Sequence, residues 1–222
     1  TYLAGDIRDK KYFDFIENKS DFTFINAYDD EIVSYLKEIC LRVKEKNMSI
    51  DNFQILIPMY KGINGIDNIN NILAEIFNGD NEPHKFGDKY YRVNDKVIQL
   101  VNDVENNVFN GDIGYIKNII HVNDKICINI DFSGTEVLYT TGDTDKFTLA
   151  YAISIHKSQG SEYDNVVVLL ASSFKRMFYN KLIYTAVTRA KESLIIIGTI
   201  DSFNNSIQTL YAESRNTYLK HV

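Results

Sequence analysis

Between about residues 86 and 147 the chain loses its helical period, while the segments on either side keep it. "YRVNDKVIQL", "GDIGYIKNII", "KICINID" and "EVLYTT" are short β-type runs separated by turn signals such as Asn110-Gly111 and Ser133-Gly134. Upstream, Phe22, Phe24 and Ile25 suit a buried strand. Ile32, Leu36, Ile39 and Val43 then follow the 3.6-residue period of a helix, with Asp29 or Asp30 as its cap. "FQILIP" (53–58) is a second apolar strand, and a turn at Gly62–Gly65 leads into a helix carrying Ile66, Ile69, Leu73, Ile76 and Phe77. Downstream the rhythm resumes, with a strand at 149–154, a loop and helix, a strand at 165–170, a helix around 180–191, a strand at 193–199 and a terminal helix. Strands alternating with helices imply a parallel sheet covered on its faces. The expected fold class is α/β, with a small β-barrel at 86–147 inserted into a parallel-sheet domain.

Composition narrows the function. With 45% hydrophobic residues among 222, the chain can bury a substantial core. No apolar run approaches the roughly 18–20 residues that span a bilayer, and no basic-then-apolar leader opens the chain. A segment of a longer cytoplasmic protein is expected, with no membrane partner. Cys40 and Cys127 form no CxxC pair, so no metal site and no disulfide framework is expected. A net charge of −6 argues against an indiscriminate nucleic-acid binder. It leaves room for a local basic groove around Lys175, Arg176, Lys181, Arg189 and Lys191.

Two motifs carry chemistry. In a parallel sheet, ligands sit beyond the carboxyl ends of the strands, and the loop beginning at Ser154 lies at such an end. There His156, Lys157 and the N–H groups of a following helix start would suit a phosphate; the alternative is a helix start that is simply polar. Gly160 followed by Glu162 suits close approach to a nucleotide sugar edge. "IYTAVTRAKE" places Thr185, Thr188 and Arg189 on one helix. Arg189 either pairs with Glu192 on the surface or serves as an arginine finger on a transferring phosphoryl group. "FTFINAYDDE" mimics a Walker B strand, but no Gly is followed by Lys anywhere, so there is no P-loop and the helix-cap reading is preferred.

"AISIHKSQGSEYDNVVV" and "LIYTAVTRAKESLIIIG" resemble motifs V and VI of superfamily 1 DNA helicases, most closely the RecD-like branch, the family of the exodeoxyribonuclease V alpha subunit. Residues 54–73 resemble that branch's segment before its barrel, and 91–116 the start of its inserted SH3-type barrel. The similarity covers most of 22–199. It implies the C-terminal motor portion of such a helicase: a second RecA-like domain of P-loop-NTPase type, without a P-loop of its own, at 1–85 and 148–222, interrupted by the barrel at 86–147. It further implies ATP-driven translocation on single-stranded DNA, 5′ to 3′, and duplex unwinding in recombination and repair. Arg189 would reach the γ-phosphate, with Gln159, Gly160 and Glu162 by the nucleotide. Ser154, His156 and Lys157 would hold DNA phosphates, assisted by Tyr60 and Lys61. ATP and Mg2+ would be used by the intact enzyme, whose first RecA-like domain supplies the P-loop and magnesium ligands. This segment alone is expected to bind neither and to be inactive. Other partners would be recombination and repair subunits. Ser154 stands where many relatives have Thr, and the family's earlier arginine motif is not seen. The rival readings are a degenerate helicase-derived binding module without motor activity and an RNA-directed superfamily 1 helicase.

Overall fold

The computed structural model describes residues 2–122 and 125–210. In chain order the elements are α1 (Tyr2–Arg8), β1 (Phe22–Asn26), α2 (Ile32–Glu45), β2 (Phe53–Ile57), α3 (Ile66–Asn78), β3 (His84–Phe86), β4 (Lys89–Tyr91), β5 (Lys96–Gln99) and β6 (Ile113–Val122). They continue with β7 (Lys125–Phe132), β8 (Thr135–Tyr139), β9 (Phe147–Leu149), β10 (Ala152–Ser154), β11 (Tyr163–Leu170), α4 (Asn180–Val187), β12 (Ala190–Gly198) and α5 (Ile200–Gln208).

Five strands pair in parallel in the order β1-β12-β11-β2-β10. Sheets of this kind are buried on both faces, which is why β2 is apolar and buried almost throughout and why β11 ends in five buried residues, Val166 to Leu170. Right-handed crossovers decide where the helices lie. From β1 to β2 the chain moves one way along the sheet, and from β11 to β12 it moves the other way. The helices α2 and α3 therefore pack together on one face, while α4 lies on the opposite face against α1 and α5. The inner stripe of α2 is Ile32, Leu36, Cys40 and Val43, one residue per turn, and all four are buried.

The segment between α3 and β10 forms a β3-β4 hairpin and an antiparallel sheet of order β8-β7-β6-β5-β9. The two edge strands of that sheet meet through side chains, with the rings of Tyr139 and Phe147 centred 4.8 Å apart. A knot of buried polar residues joins it to the parallel sheet. Asn70 of α3 donates to the carbonyls of Leu149 and Ala152 and accepts the N–H of Ala152. Gln54 of β2 donates to the carbonyls of Ala150 and Tyr151 and accepts from Lys96, which also donates to the carbonyl of Ile50. Asp95 accepts from Asn78, from the hydroxyl of Tyr151 and from the N–H of Arg92. Burying so many polar groups is tolerable only because each finds a partner.

Three expectations are corrected. The apolar run at 149–154 is two strands, because Phe147–Leu149 pairs with β5 and Ala152–Ser154 with β2. Arg189 and Thr188 lie beyond α4, which ends at Val187. No helix follows Ser154. Residues 155–160 form successive turns, in which Ser154 O accepts the N–H groups of Lys157 and Ser158, and His156 O that of Gln159. Those amides are spent inside the turn and form no phosphate cradle.

Candidate functional site

The structure divides the predicted site residues between two opposite edges of the parallel sheet. The turns after β2 and β10 stand at the carboxyl edge, while Arg189 and Ser161-Glu162 stand at the amino ends of β12 and β11. From Ser154, level with the end of β11, back to Tyr163 is six strand residues, roughly 20 Å. Residues 155–162 cover that span on the α4 face of the sheet, in place of a crossover helix.

At the amino edge the Arg189 guanidinium is held from three sides. Its Nη1 donates to Ser161 O at 2.9 Å, Nε to Thr185 O at 3.1 Å and Nη2 to Thr188 Oγ1 at 3.2 Å. Its own carbonyl accepts the N–H of Tyr163 at 2.9 Å, so the start of β11 is bonded to the residue before β12. A guanidinium has five donors, so two remain without a protein partner among the described residues. No ion pair with Glu192 forms among the described residues. Beside this group Gly160 has φ +86°, and a side chain there would meet nothing within 4 Å. The glycine is thus required by backbone conformation and not by crowding from the chain itself. Glu162 and Gln159 are exposed. Gln159 lines a cleft of about 400 Å³ with Lys181 and Thr185 of α4.

The carboxyl edge is organised differently. Ser154 is only 6% exposed, and its Oγ accepts the N–H of Lys157 at 3.2 Å. The turn so fixed leaves His156 exposed and sends Lys157 Nζ to Asn110 Oδ1, in the loop between β5 and β6, at 3.0 Å. Partial burial lowers the Lys157 pKa below its ordinary value. On the neighbouring turn Tyr60 is 44% exposed, and Lys61 bonds Asp67 at 2.8 Å, which raises the lysine's pKa. Gly65 closes this turn so tightly that a Cβ would lie 2.4 Å from Lys61 O.

The helix-cap reading of Asp29 is also corrected. Glu31 takes the cap position of α2, and its carboxylate accepts the N–H of Tyr28. The Asp29 carboxylate instead accepts the N–H groups of Ser172 and Ser173, at 2.6 and 2.9 Å, in the turn that follows β11. Sequence reading missed this residue because its partners lie some 143 positions away. It missed the polar knot too, although Gln54 is a signal in itself, being the one polar residue inside the buried run "FQILI".

Among the described residues no helix is long and apolar enough to cross a membrane, and no group of three His, Cys, Asp or Glu could hold a metal ion.

Comparison with known proteins places this geometry. Residues 149–197 match the UvrD-like helicase C-terminal domain, and residues 69–132 match the ATP-dependent RecD-like DNA helicase SH3 domain. The chain is 31% identical over 166 residues to the ATP-dependent RecD2 DNA helicase of Deinococcus radiodurans, covering 75% of this chain and 22% of that one. It is 30% identical over 155 residues to the RecBCD enzyme subunit RecD of Mycolicibacterium smegmatis, covering 70% of this chain and 26% of the relative. It therefore spans about a quarter of the length of these relatives. A solved structure of two coordinating Pif1 helicases at forked double-stranded DNA shares the fold, with TM-score 0.51 at 16% identity over 91% of this chain and 48% of that one. With both domain matches in chain order on a parallel α/β sheet, the chain belongs to the RecD-like superfamily 1 helicases and corresponds to their C-terminal motor portion.

Proposed function

We propose that this chain is the second motor domain of an ATP-dependent RecD-like DNA helicase, coupling ATP hydrolysis to 5′-to-3′ movement on single-stranded DNA and to duplex unwinding in recombination and repair. The observation that carries the reading is the Arg189 guanidinium, oriented by Ser161, Thr185 and Thr188 with two donors still uncommitted. Such a group fits a phosphoryl anion presented by the first RecA-like domain of the parent chain. ATP supplies the phosphoryl group that is transferred. Arg189 meets the charge that develops on it, while Gly160 and Glu162 flank the nucleotide and Gln159 lies along the adjoining cleft. Mg2+ would accompany ATP in the intact enzyme, with its ligands and the P-loop supplied by the first RecA-like domain.

At the carboxyl edge His156 and Lys157, with Tyr60 and Lys61, face the DNA backbone, and buried Ser154 shapes the turn that presents them. The segment 155–162 joins the two edges directly, which supports nucleotide state biasing the grip on DNA. Division of the chain into a motor domain and an SH3-type insertion is part of the proposal, supported by antiparallel pairing that runs from His84 in β3 to Leu149 in β9, two residues beyond 86–147 at each end. A cytoplasmic setting is supported by Cys40 and Cys127, both buried and unpaired.

Arg189→Ala in the full-length parent protein tests the reading. An arginine finger acts on the transition state, so ATPase kcat should fall by about 10³-fold or more while nucleotide affinity changes much less. Arg189→Lys should rescue poorly, because a point charge lacks the planar fork. Thr185→Ser, which keeps the hydroxyl bonded to Lys181 O, should be nearly silent. A kcat near wild type in Arg189→Ala would sink the assignment.

A further inference from the structure

Three loops from three strand ends converge on Asp29. Its carboxylate holds the Ser172 and Ser173 amides after β11, and its carbonyl accepts Asn64 Nδ2 from the turn after β2 at 2.9 Å. Partial burial works to raise the Asp29 pKa, but the two serine amides outweigh it and hold the carboxyl below its ordinary value. The turn it grips, Ser172–Phe174, leads directly into Lys175 and Arg176. Both are exposed, and neither side chain has a hydrogen-bond or ion-pair partner among the described residues.

Charge is distributed unevenly along this edge. Asp29, Asp30 and Glu31 follow β1 and Asp201 follows β12 at one end, Lys175 and Arg176 follow β11 in the middle, and Lys157 follows β10 at the other, while Lys61 after β2 is paired with Asp67. A polyanion lying on the edge is repelled from the β1 end and drawn across the β11, β2 and β10 ends. Lys175 and Arg176 continue the line begun by His156 and Lys157, and they stand well away from Arg189 at the opposite edge.

We propose that Lys175 and Arg176 are a second pair of phosphate contacts for a single-stranded nucleic acid, and that Asp29 is the positioning residue that fixes their turn. The ligand chemistry is the phosphodiester backbone, since both side chains are cations and the turn presents no aromatic ring between them. Asp29 touches no ligand. It acts through Ser172 and Ser173, and through Asn64 it ties their turn to the one carrying Tyr60 and Lys61. The inference rests on the carboxyl edge being the DNA face, as proposed above.

The experiment measures binding of a labelled oligo-dT strand to the full-length parent protein over a range of salt concentrations. Removing a cation that neutralises one phosphate of a single strand lowers the slope of log affinity against log salt by about 0.7. Lys175→Gln with Arg176→Gln should lower it by up to about 1.4 on the same basis. Asp29→Asn should move the slope part of the way there, and should add nothing further in the Lys175→Gln, Arg176→Gln background. Lys157→Gln runs alongside. If Lys157→Gln lowers the slope and the Lys175, Arg176 pair does not, the second pair is wrong and the helicase reading stands. If neither lowers it, the carboxyl edge is not the DNA face and both readings fall. If the pair lowers it and folded Asp29→Asn keeps the wild-type slope, Asp29 does not position the pair.

Discussion

At the amino edge of the parallel sheet Gln54, Asn70 and Lys96 are 0%, 4% and 2% exposed, and each is bonded to main-chain carbonyls. At the carboxyl edge Tyr60, His156, Lys175 and Arg176 face solvent. Arg189 belongs with the first group in construction, since three of its donors are fixed before any ligand arrives. On the function proposed here, the contrast separates two ways of handling phosphate. A preorganised donor suits charge that appears briefly and at one place, because nothing has to rearrange as the charge develops. Exposed cations on turns suit a strand that must be released and gripped again, because affinity there comes from counterion release and tolerates any sequence.

The largest effect that could break this contrast lies at the amino edge. Asn70→Leu strips partners from the buried carbonyls of Leu149 and Ala152 and from the N–H of Ala152. Leaving such groups unpaired costs about 1–3 kcal/mol each, so a loss of roughly 3 kcal/mol or more is expected from denaturant unfolding. Equal losses from His156→Ala, which is expected to stay within about 0.5 kcal/mol, would erase the distinction between the edges.

A smaller effect is expected on DNA. His156→Ala with Lys157→Ala in the full-length protein should weaken single-strand binding for all sequences alike, lowering the salt slope by about 0.7 for every phosphate no longer neutralised. Weakening confined to particular sequences would mean that these residues read bases.

The smallest effect is a pH dependence. Burial pulls the Lys96 pKa down to about 8. Below that pH both folded and unfolded chains carry the proton, and the folded state bears the full cost of a buried charge. Between about pH 8 and 10 only the unfolded chain keeps it, so stability should rise with pH. Above about pH 10 the trend should reverse, because burial and neighbouring carboxylates keep Tyr115 and Tyr151 protonated only in the folded chain. Lys96→Met should abolish the rise in a melting series, and a rise that persists would assign it to another group.

What could be read from the residues was whatever is encoded locally. The stripe Ile32, Leu36, Cys40 and Val43, the apolar run of β2 and the turn-separated β segments announce their elements by period alone. The motif residues were also nameable in advance. Their arrangement was not, because it depends on distant partners. "FTLAYAIS" reads as one continuous strand, and its division between two sheets appears only in its partners, Val97 for Leu149 and Ile55 for Ala152. The helix expected through Arg189 stops at Val187, and the chain turns at Thr188 to enter β12 at Ala190. Asp29 looked like a cap for the next helix, since an acid before a helix usually is one. α1 was not anticipated because its seven residues are too few to show a period.

The connection between β10 and β11 carries a mechanical consequence. About nine residue steps separate Ser154 from Tyr163, and fully extended they reach about 30 Å. The distance to be covered is roughly 20 Å along the strands and about 10 Å across them, since β2 lies between β10 and β11, or about 22 Å in all. The slack is therefore only about 8 Å, and part of it is locked in the turns at 155–160. The turn bearing His156 and Lys157 is on a short leash whose other end is bonded to Arg189, and that leash caps the stroke either edge can make without pulling the other.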